Sequence, residues 1–191
     1  GSDWQEWRIR DVESGEDLAD HLHWVRFSGA SFTHDGAGFY YSRYDEPPPG
    51  EKHTAVALNQ KLCFHRIGTP QSEDVLVYER PDQPEWGFGG SVTDDGRYLV
   101  ITVRRGTATS SAVYVQDLSR LTPESAPRQI AGNGTNNYVF LGNDGPVVWL
   151  ATDDGAQRGR VVAVNVDRPA RADWRELVSE ASDAIDTWSY G

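Results

Sequence analysis

The amino-acid sequence predicts an all-β fold that is part of a β-propeller, and three observations support that prediction. Apolar and polar residues alternate with a period of two along most of the chain, which is typical of strands with one buried face. Short turn sequences that contain Asp-Gly separate pairs of these runs. Four strand-like runs form a unit that recurs, with its turns about 50 to 60 residues apart, and this repeat is typical of propeller blades.

Each unit opens with a strand, a turn that contains Asp-Gly and a second strand. Glycine accepts a positive φ in such a turn without steric cost, and Asp tolerates it better than most residues. The three turns lie at residues 34–36, 94–96 and 143–145. Two further strand-like runs follow each hairpin, so that the predicted blades are residues 27–80, 87–131 and 137–178.

The two ends of the chain fit the same pattern. Residues 1–26 predict the end of a preceding blade, and residues 185–191 predict the start of the next one. We therefore expect a partial β-propeller of four-stranded antiparallel blades, with about three full blades and partial blades at both ends. Residues 174–184 have weak helical periodicity and fit an irregular strand and loop as well. The alternative folds are a β-sandwich and another β-solenoid, and a sandwich would have short strands without their fourfold grouping.

The charge of the chain argues against several classes of partner. Its net charge is -11, whereas nucleic-acid binding usually needs a basic stripe and anionic membranes attract basic segments. No apolar run is long enough for a transmembrane helix, and no signal peptide opens the chain. We expect no nucleic-acid or membrane partner, a cytoplasmic or periplasmic location, and a targeting region that is not present in this chain.

Familiar catalytic motifs are not found in the sequence. The nearest approach to a Gly-x-Ser-x-Gly elbow, at residues 89–93, lacks the closing glycine and falls on a predicted strand. His21 and His23 could face one side of a strand and hold a metal, but no third ligand is visible, so a solvated pair is favoured. Cys63 alternates with apolar neighbours, which favours a packed thiol over a nucleophile.

Several runs resemble the propeller domain of prolyl oligopeptidase, a family of serine peptidases that cleave short peptides after proline. The strongest is residues 59–77, NQKLCFHRIGTPQSEDVLV, which is similar to the family's QKLYYH-x-LGT-x-QSED stretch. Other similar runs lie at 10–16, 25–28, 32–41, 81–86 and 91–98. The resemblance is strong over residues 4–118 and looser, but in register, to the end. Cys63 departs from the family, which usually has an aromatic residue there, and this suggests local repacking.

The resemblance implies a seven-bladed propeller that caps an α/β-hydrolase domain. The catalytic Ser, Asp and His of the family lie in that domain, beyond Gly191, so this chain is expected to be inactive alone and to need no metal or organic cofactor. The implied role of the propeller is to cover the active site, admit short peptides and exclude folded proteins. The implied partners are the hydrolase domain of the same parent chain and short proline-containing peptides.

The resemblance also implies three residues that line the hydrophobic substrate pocket. Phe27 matches a pocket phenylalanine of the family, Val77 matches a small residue on the same wall, and Ala57 is a weaker match. Burial of an apolar side chain contributes about 1.5–3 kcal/mol, so Phe27 could affect affinity without touching the chemistry. The alternative for Phe27 and Val77 is ordinary blade core.

Two other functions remain open at this point. A free-standing interaction module is one, since folds of this kind host many unrelated functions and exposed blade edges can pair with another chain. A glycoside-processing propeller is the other. It would need two carboxylates about 5–5.5 Å or 6.5–9.5 Å apart, and no such pair stands out in the sequence.

Overall fold

The computed structural model describes residues 3–48, 50, 56–121 and 125–183, and strands dominate these residues. They contain fourteen β-strands and three short 3-10 helices. None of the helices found there is long and apolar enough to cross a membrane. The chain forms two compact units, residues 1–90 and 91–191. Residues 185–191, predicted to start a further blade, lie outside the described residues.

The first sheet contains six strands, which pair in the order β1-β2-β4-β5-β6, with β3 on β4. Their bounds are β1 (Gln5–Arg10), β2 (Asp17–Val25), β3 (Ser31–Phe32), β4 (Gly38–Arg43), β5 (Lys61–Arg66) and β6 (Val75–Tyr78). Strands β4 and β5 pair along their whole length. Strands β2 and β4, in contrast, share one register pair, Val25 opposite Arg43. The hairpin β1-β2 thus belongs to this sheet through that pair, and its assignment to a preceding blade stays a prediction.

Two further sheets contain four strands each, and in both the strands pair antiparallel in chain order. The second sheet comprises β7 (Trp86–Val92), β8 (Tyr98–Arg105), β9 (Ser111–Asp117) and β10 (Arg128–Ala131). The third comprises β11 (Tyr138–Asp144), β12 (Val147–Thr152), β13 (Arg160–Asn165) and β14 (Arg175–Val178). This connectivity is that of a propeller blade. The ambiguous segment 174–184 carries β14, so its strand interpretation is the correct one.

The first two Asp-Gly turns share one hydrogen-bonding arrangement. Thr33 and Thr93 each donate through Oγ1 to the aspartate two residues later, both at 2.6 Å. Gly36 and Gly96 have φ angles of 67° and 69°, a region that is open to glycine but costly for most residues. The predicted turn chemistry therefore holds at both hairpins.

Two clusters of apolar side chains form the cores. In the second unit, side chains of β8 to β13 pack together: Tyr98, Val100, Val113, Val115, Ile130, Ala131, Tyr138, Val148, Leu150, Val162, Val164 and Val166. In the first unit the cluster is Leu22, Val25, Phe39, Tyr41 and Cys63. Burial of a Val, Leu, Ile or Phe side chain contributes about 1.5–3 kcal/mol, so these clusters stabilise the packing of strands within each unit.

Cys63 is a buried free thiol in the first of these units. Burial raises the pKa of the Cys63 thiol to about 11, because an apolar environment disfavours the thiolate. The thiolate is the nucleophilic form. The prediction of a packed thiol is confirmed.

Candidate functional site

Phe27 follows strand β2, and 71% of it is exposed. Its φ angle is 53°, and that of Trp24, three residues earlier, is 59°. A positive φ is an outlier for a bulky side chain. Such a conformation costs about 1–3 kcal/mol and persists only where the surroundings hold it. The exposed position of Phe27 is therefore imposed by its neighbours.

Hydrogen bonds hold the backbone on both sides of Phe27. The buried side chain of Gln60 donates through Nε2 to the carbonyl oxygen of Arg26, at 3.1 Å. On the other side, Ser28 accepts through Oγ from the backbone N–H of Ser42, at 2.7 Å. These bonds join the segment to β4 and to the start of β5, so Phe27 is fixed by the sheet.

An arginine and several aromatic rings surround this segment. The guanidinium carbon of Arg26 lies 4.7 Å from the centre of the Phe27 ring and 5.4 Å from that of Trp4. Arg26 also pairs with Asp3 at 2.8 Å. Trp4 packs edge-on against Tyr44, with ring centres 5.5 Å apart. A cation over aromatic faces stabilises such a cluster. Within this cluster the Phe27 ring remains exposed to solvent.

Val77 and Ala57 occupy different places in the sheet. Ala57 is half-buried and lies three residues before Gln60, whose side chain binds the backbone next to Phe27. Val77 is half-buried on β6, and strands β4 and β5 separate that strand from β2 in the sheet order. Of the three segments, that of Ala57 is thus followed by a residue bonded next to Phe27, whereas Val77 lies on a strand that is not adjacent to β2. The pocket roles of all three residues stay predictions.

The first sheet also contains a buried polar network that the sequence patterns do not predict. The imidazole of His65, on β5, is fully buried. Its Nδ1 lies 2.6 Å from Oδ1 of Asp74, and its Nε2 lies 2.9 Å from Oδ1 of Asp20, on β2. Because carboxylates are acceptors, His65 donates from both nitrogens when it is protonated. Both ring nitrogens are occupied, so His65 is not available to a substrate or a metal.

Further hydrogen bonds extend the network to the segment after β5. The hydroxyl of Tyr41 donates to Oδ2 of Asp74 and accepts from Nε2 of Gln71, at 2.8 Å. Gln71 also binds both backbone groups of His23, at 3.0 and 3.1 Å. Burial, together with the hydrogen bond to Asp74, raises the pKa of the Tyr41 hydroxyl, so Tyr41 remains a donor at neutral pH.

Three residues of the network lie within residues 59–77, the strongest run of resemblance. His65, Gln71 and Asp74 all lie in that run, and each makes a side-chain hydrogen bond to another strand or turn. The signal that could have revealed the network is Asp20, which takes an inward position on β2 between apolar residues. Its role is to hold the sheet together.

The predicted histidine pair gains a third partner in the structure. Glu6 on β1 lies with His21 and His23 in the one group of metal-ligating side chains found among the described residues. The ligand atoms of the three residues all lie within 4.8 Å of one another. Among the residues that the structure describes, these three could hold a metal ion.

Antiparallel sheets whose strands pair in chain order define this chain as part of a β-propeller. The family model for the prolyl oligopeptidase N-terminal β-propeller domain matches residues 1–188. The chain belongs to this family, and the resemblance predicted from the sequence is confirmed.

Individual relatives agree with this assignment. The prolyl endopeptidase of Elizabethkingia meningoseptica is 33% identical over 186 residues, which cover 97% of this chain and 26% of that protein. A solved prolyl endopeptidase structure, described in terms of inter-domain dynamics in catalysis and specificity, has a TM-score of 0.84 and 31% identity, over 100% of this chain and 26% of that one. Prolyl oligopeptidase B of Galerina marginata, bound to a 35mer substrate, has a TM-score of 0.83 and 26% identity, over 96% of this chain and 27% of that one. This chain thus spans about a quarter of the length of its relatives.

Proposed function

We propose that this chain is the non-catalytic propeller segment of a prolyl oligopeptidase-like serine endopeptidase, and that it limits which peptides reach a catalytic domain supplied by the same longer chain. The family match over residues 1–188 carries the proposal, since the relatives are prolyl endopeptidases of which this chain spans about a quarter. The proposed partners are that catalytic domain and short proline-containing peptides.

Exclusion by size requires a rigid wall and no chemistry. The cluster that packs β8 to β13 together and the network around His65 both resist deformation, because buried side chains are close-packed and fully hydrogen-bonded groups have one preferred arrangement. Access would then depend on motions between domains, as lids do in other enzymes. These features support the gating role.

We expect the 191-residue chain alone to release no product from a chromogenic peptide that ends in proline, because the nucleophile and its base belong to the catalytic domain. The longer protein should cleave that peptide and should spare the same sequence placed in a loop of a folded protein. The absorbance of the released product measures cleavage of the peptide and of the folded protein. The catalytic domain expressed without its propeller should lose this discrimination.

The outcomes of this experiment separate the two parts of the proposal. Cleavage by the chain alone, in a preparation free of other proteases, would contradict its non-catalytic assignment. A lone catalytic domain that still spares the folded substrate would contradict the gating role and leave the family assignment unaffected.

Phe27 is the residue that we propose for contact with the peptide. Its exposed, backbone-constrained ring is preorganised, so little entropy is lost when a ligand covers it. In the longer protein, Phe27→Ala should raise KM about tenfold and leave kcat unchanged, since it removes apolar binding that substrate and transition state share. Steady-state kinetics with the chromogenic peptide measures the two constants separately.

Phe32→Ala is the matched control for Phe27→Ala. Phe32 is also largely exposed, but its ring packs on Phe39, with ring centres 5.2 Å apart. Its loss should leave KM as it was. Equal effects of the two substitutions, or a change in kcat alone for Phe27→Ala, would argue against a peptide contact at Phe27.

A further inference from the structure

We propose that Glu6, His21 and His23 form a binding site for a late first-row divalent ion, with Zn²⁺ as the type case, on the outer face of the hairpin β1-β2. The three residues offer two imidazole nitrogens and one carboxylate oxygen. This donor set suits Zn²⁺ and its neighbours in the series and is poor for Mg²⁺ or Ca²⁺, which take oxygen ligands.

The pairing of β1 with β2 places these side chains on one face. His21 and His23 are two residues apart, so both point away from the face on which Asp20 and Leu22 are buried. A register shift between Gln5 and Trp7 sets the single residue Glu6 opposite His23 and Trp24. A bulge of this kind re-aims side chains, and here it directs Glu6 towards the two histidines.

The distances between the ligand atoms are close to those that a metal ion requires. Nε2 of His21 lies 3.1 Å from one carboxylate oxygen of Glu6, and Nδ1 of His23 lies 3.8 Å from the other. Two donors of a tetrahedral Zn²⁺ site, each about 2.1 Å from the ion, are separated by about 3.4 Å. Small side-chain rotations would therefore suffice to form the site.

Two neighbouring features support binding. Gln71 binds the backbone N–H and carbonyl of His23, so one of the ligands stands on a fixed backbone. A hollow of about 40 Å³ is lined in part by two of the three ligand residues, Glu6 and His23. This is enough space for a water molecule, which could complete a four-coordinate site with three protein ligands.

Arg8 provides the most specific test of the site. Its Nη2 lies 3.3 Å from Nδ1 of His21, where it donates to the nitrogen. When Nε2 of a neutral imidazole binds a metal, Nδ1 carries the proton and can no longer accept. Arg8 also brings a positive charge towards the ion. Replacement of Arg8 by glutamine should therefore strengthen metal binding, since the amide oxygen can accept from Nδ1–H and orient the ligand.

The experiment is a calorimetric titration of Zn²⁺ into the chelator-treated chain. We expect one site, with affinity lowered about tenfold or more by His21→Gln, His23→Gln or Glu6→Gln and raised several-fold by Arg8→Gln. His34→Gln is the control, because His34 is exposed in the turn before β4 and should leave the affinity unchanged. Far-UV circular dichroism of each variant verifies that the strands are intact.

Several results would overturn the proposal. These are an absence of Zn²⁺ binding to the unsubstituted chain, unchanged affinity in His21→Gln and His23→Gln, or a weaker affinity in Arg8→Gln. An increase in Arg8→Gln cannot come from unfolding, because a folding defect can only weaken binding, and circular dichroism separates a weaker affinity in a folded variant from a folding defect.

Discussion

Replacement of His65 by leucine is expected to lower the free energy of unfolding of this chain by about 3–5 kcal/mol, because it leaves Asp20 and Asp74 facing an apolar side chain in the sheet interior. The expected loss is large because both carboxylates are buried, with side-chain exposures of 0% for Asp20 and 3% for Asp74. A typical domain is stable by only about 5–15 kcal/mol in total. Urea unfolding followed by circular dichroism measures the change as a shift of the midpoint at constant slope.

Lys61→Gln is the matched control on the same strand. Lys61 pairs with Asp45, whose side chain is 63% exposed, and solvent-exposed pairs of this kind contribute about 0–1 kcal/mol. If His65→Leu proves no costlier than Lys61→Gln, the buried network does not stabilise the fold. A triple variant, Asp20→Asn with His65→Leu and Asp74→Asn, should recover part of the loss, because it removes the unpaired charges as well as the imidazole.

Gly38→Ala is also expected to destabilise the first sheet. A Cβ atom at Gly38 would collide with the carbonyl oxygen of His65 and would lie 2.5 Å from Cζ of Phe64. Because a backbone carbonyl cannot turn aside, strands β4 and β5 would have to separate. Overpacking of this kind costs about 1–3 kcal/mol and occasionally more. The same urea unfolding experiment measures it.

Gly89→Ala provides the comparison for Gly38→Ala. Gly89 also lies in a strand, β7, but a Cβ atom there would meet nothing within 4 Å. Alanine should then change stability by no more than about 1 kcal/mol, since it mainly alters the freedom of the unfolded chain. Similar midpoints for the two variants would show that β4 and β5 tolerate a side chain between them.

The strands could be predicted from the sequence because a period of two is a local property. The alternating pattern predicts strands at residues 61–66 and 160–166. Strand β5 has the first of these bounds at both ends, and β13 agrees with the second to within one residue. The same pattern predicts the second strand over residues 22–26, whereas β2 begins at Asp17. The reason is Asp20, a charged residue on the inward face, which interrupts the apolar pattern that marks a strand.

The polar sites could not be predicted in the same way, because each depends on a register between distant strands. Asp20 meets His65 across 45 positions of the sequence. Glu6 reaches the histidine pair only because the ladder slips by one residue between Gln5 and Trp7. The left-handed backbone at Phe27 also has no sequence signal, since an aromatic residue is among the least expected there.

The junction between the hairpin β1-β2 and the rest of its sheet has a consequence for sequence variation. Strands β4 and β5 are joined by a full ladder, and except at Gly38, where a side chain would collide with the partner strand, its main-chain hydrogen bonds depend little on which side chains are present. Strands β2 and β4 share one register pair, and the hairpin is held further by the side chains of Asp20, His65 and Gln71. A single nucleotide change in any of these three codons can therefore weaken the attachment of the hairpin. Two strands that share a full ladder depend far less on individual side chains.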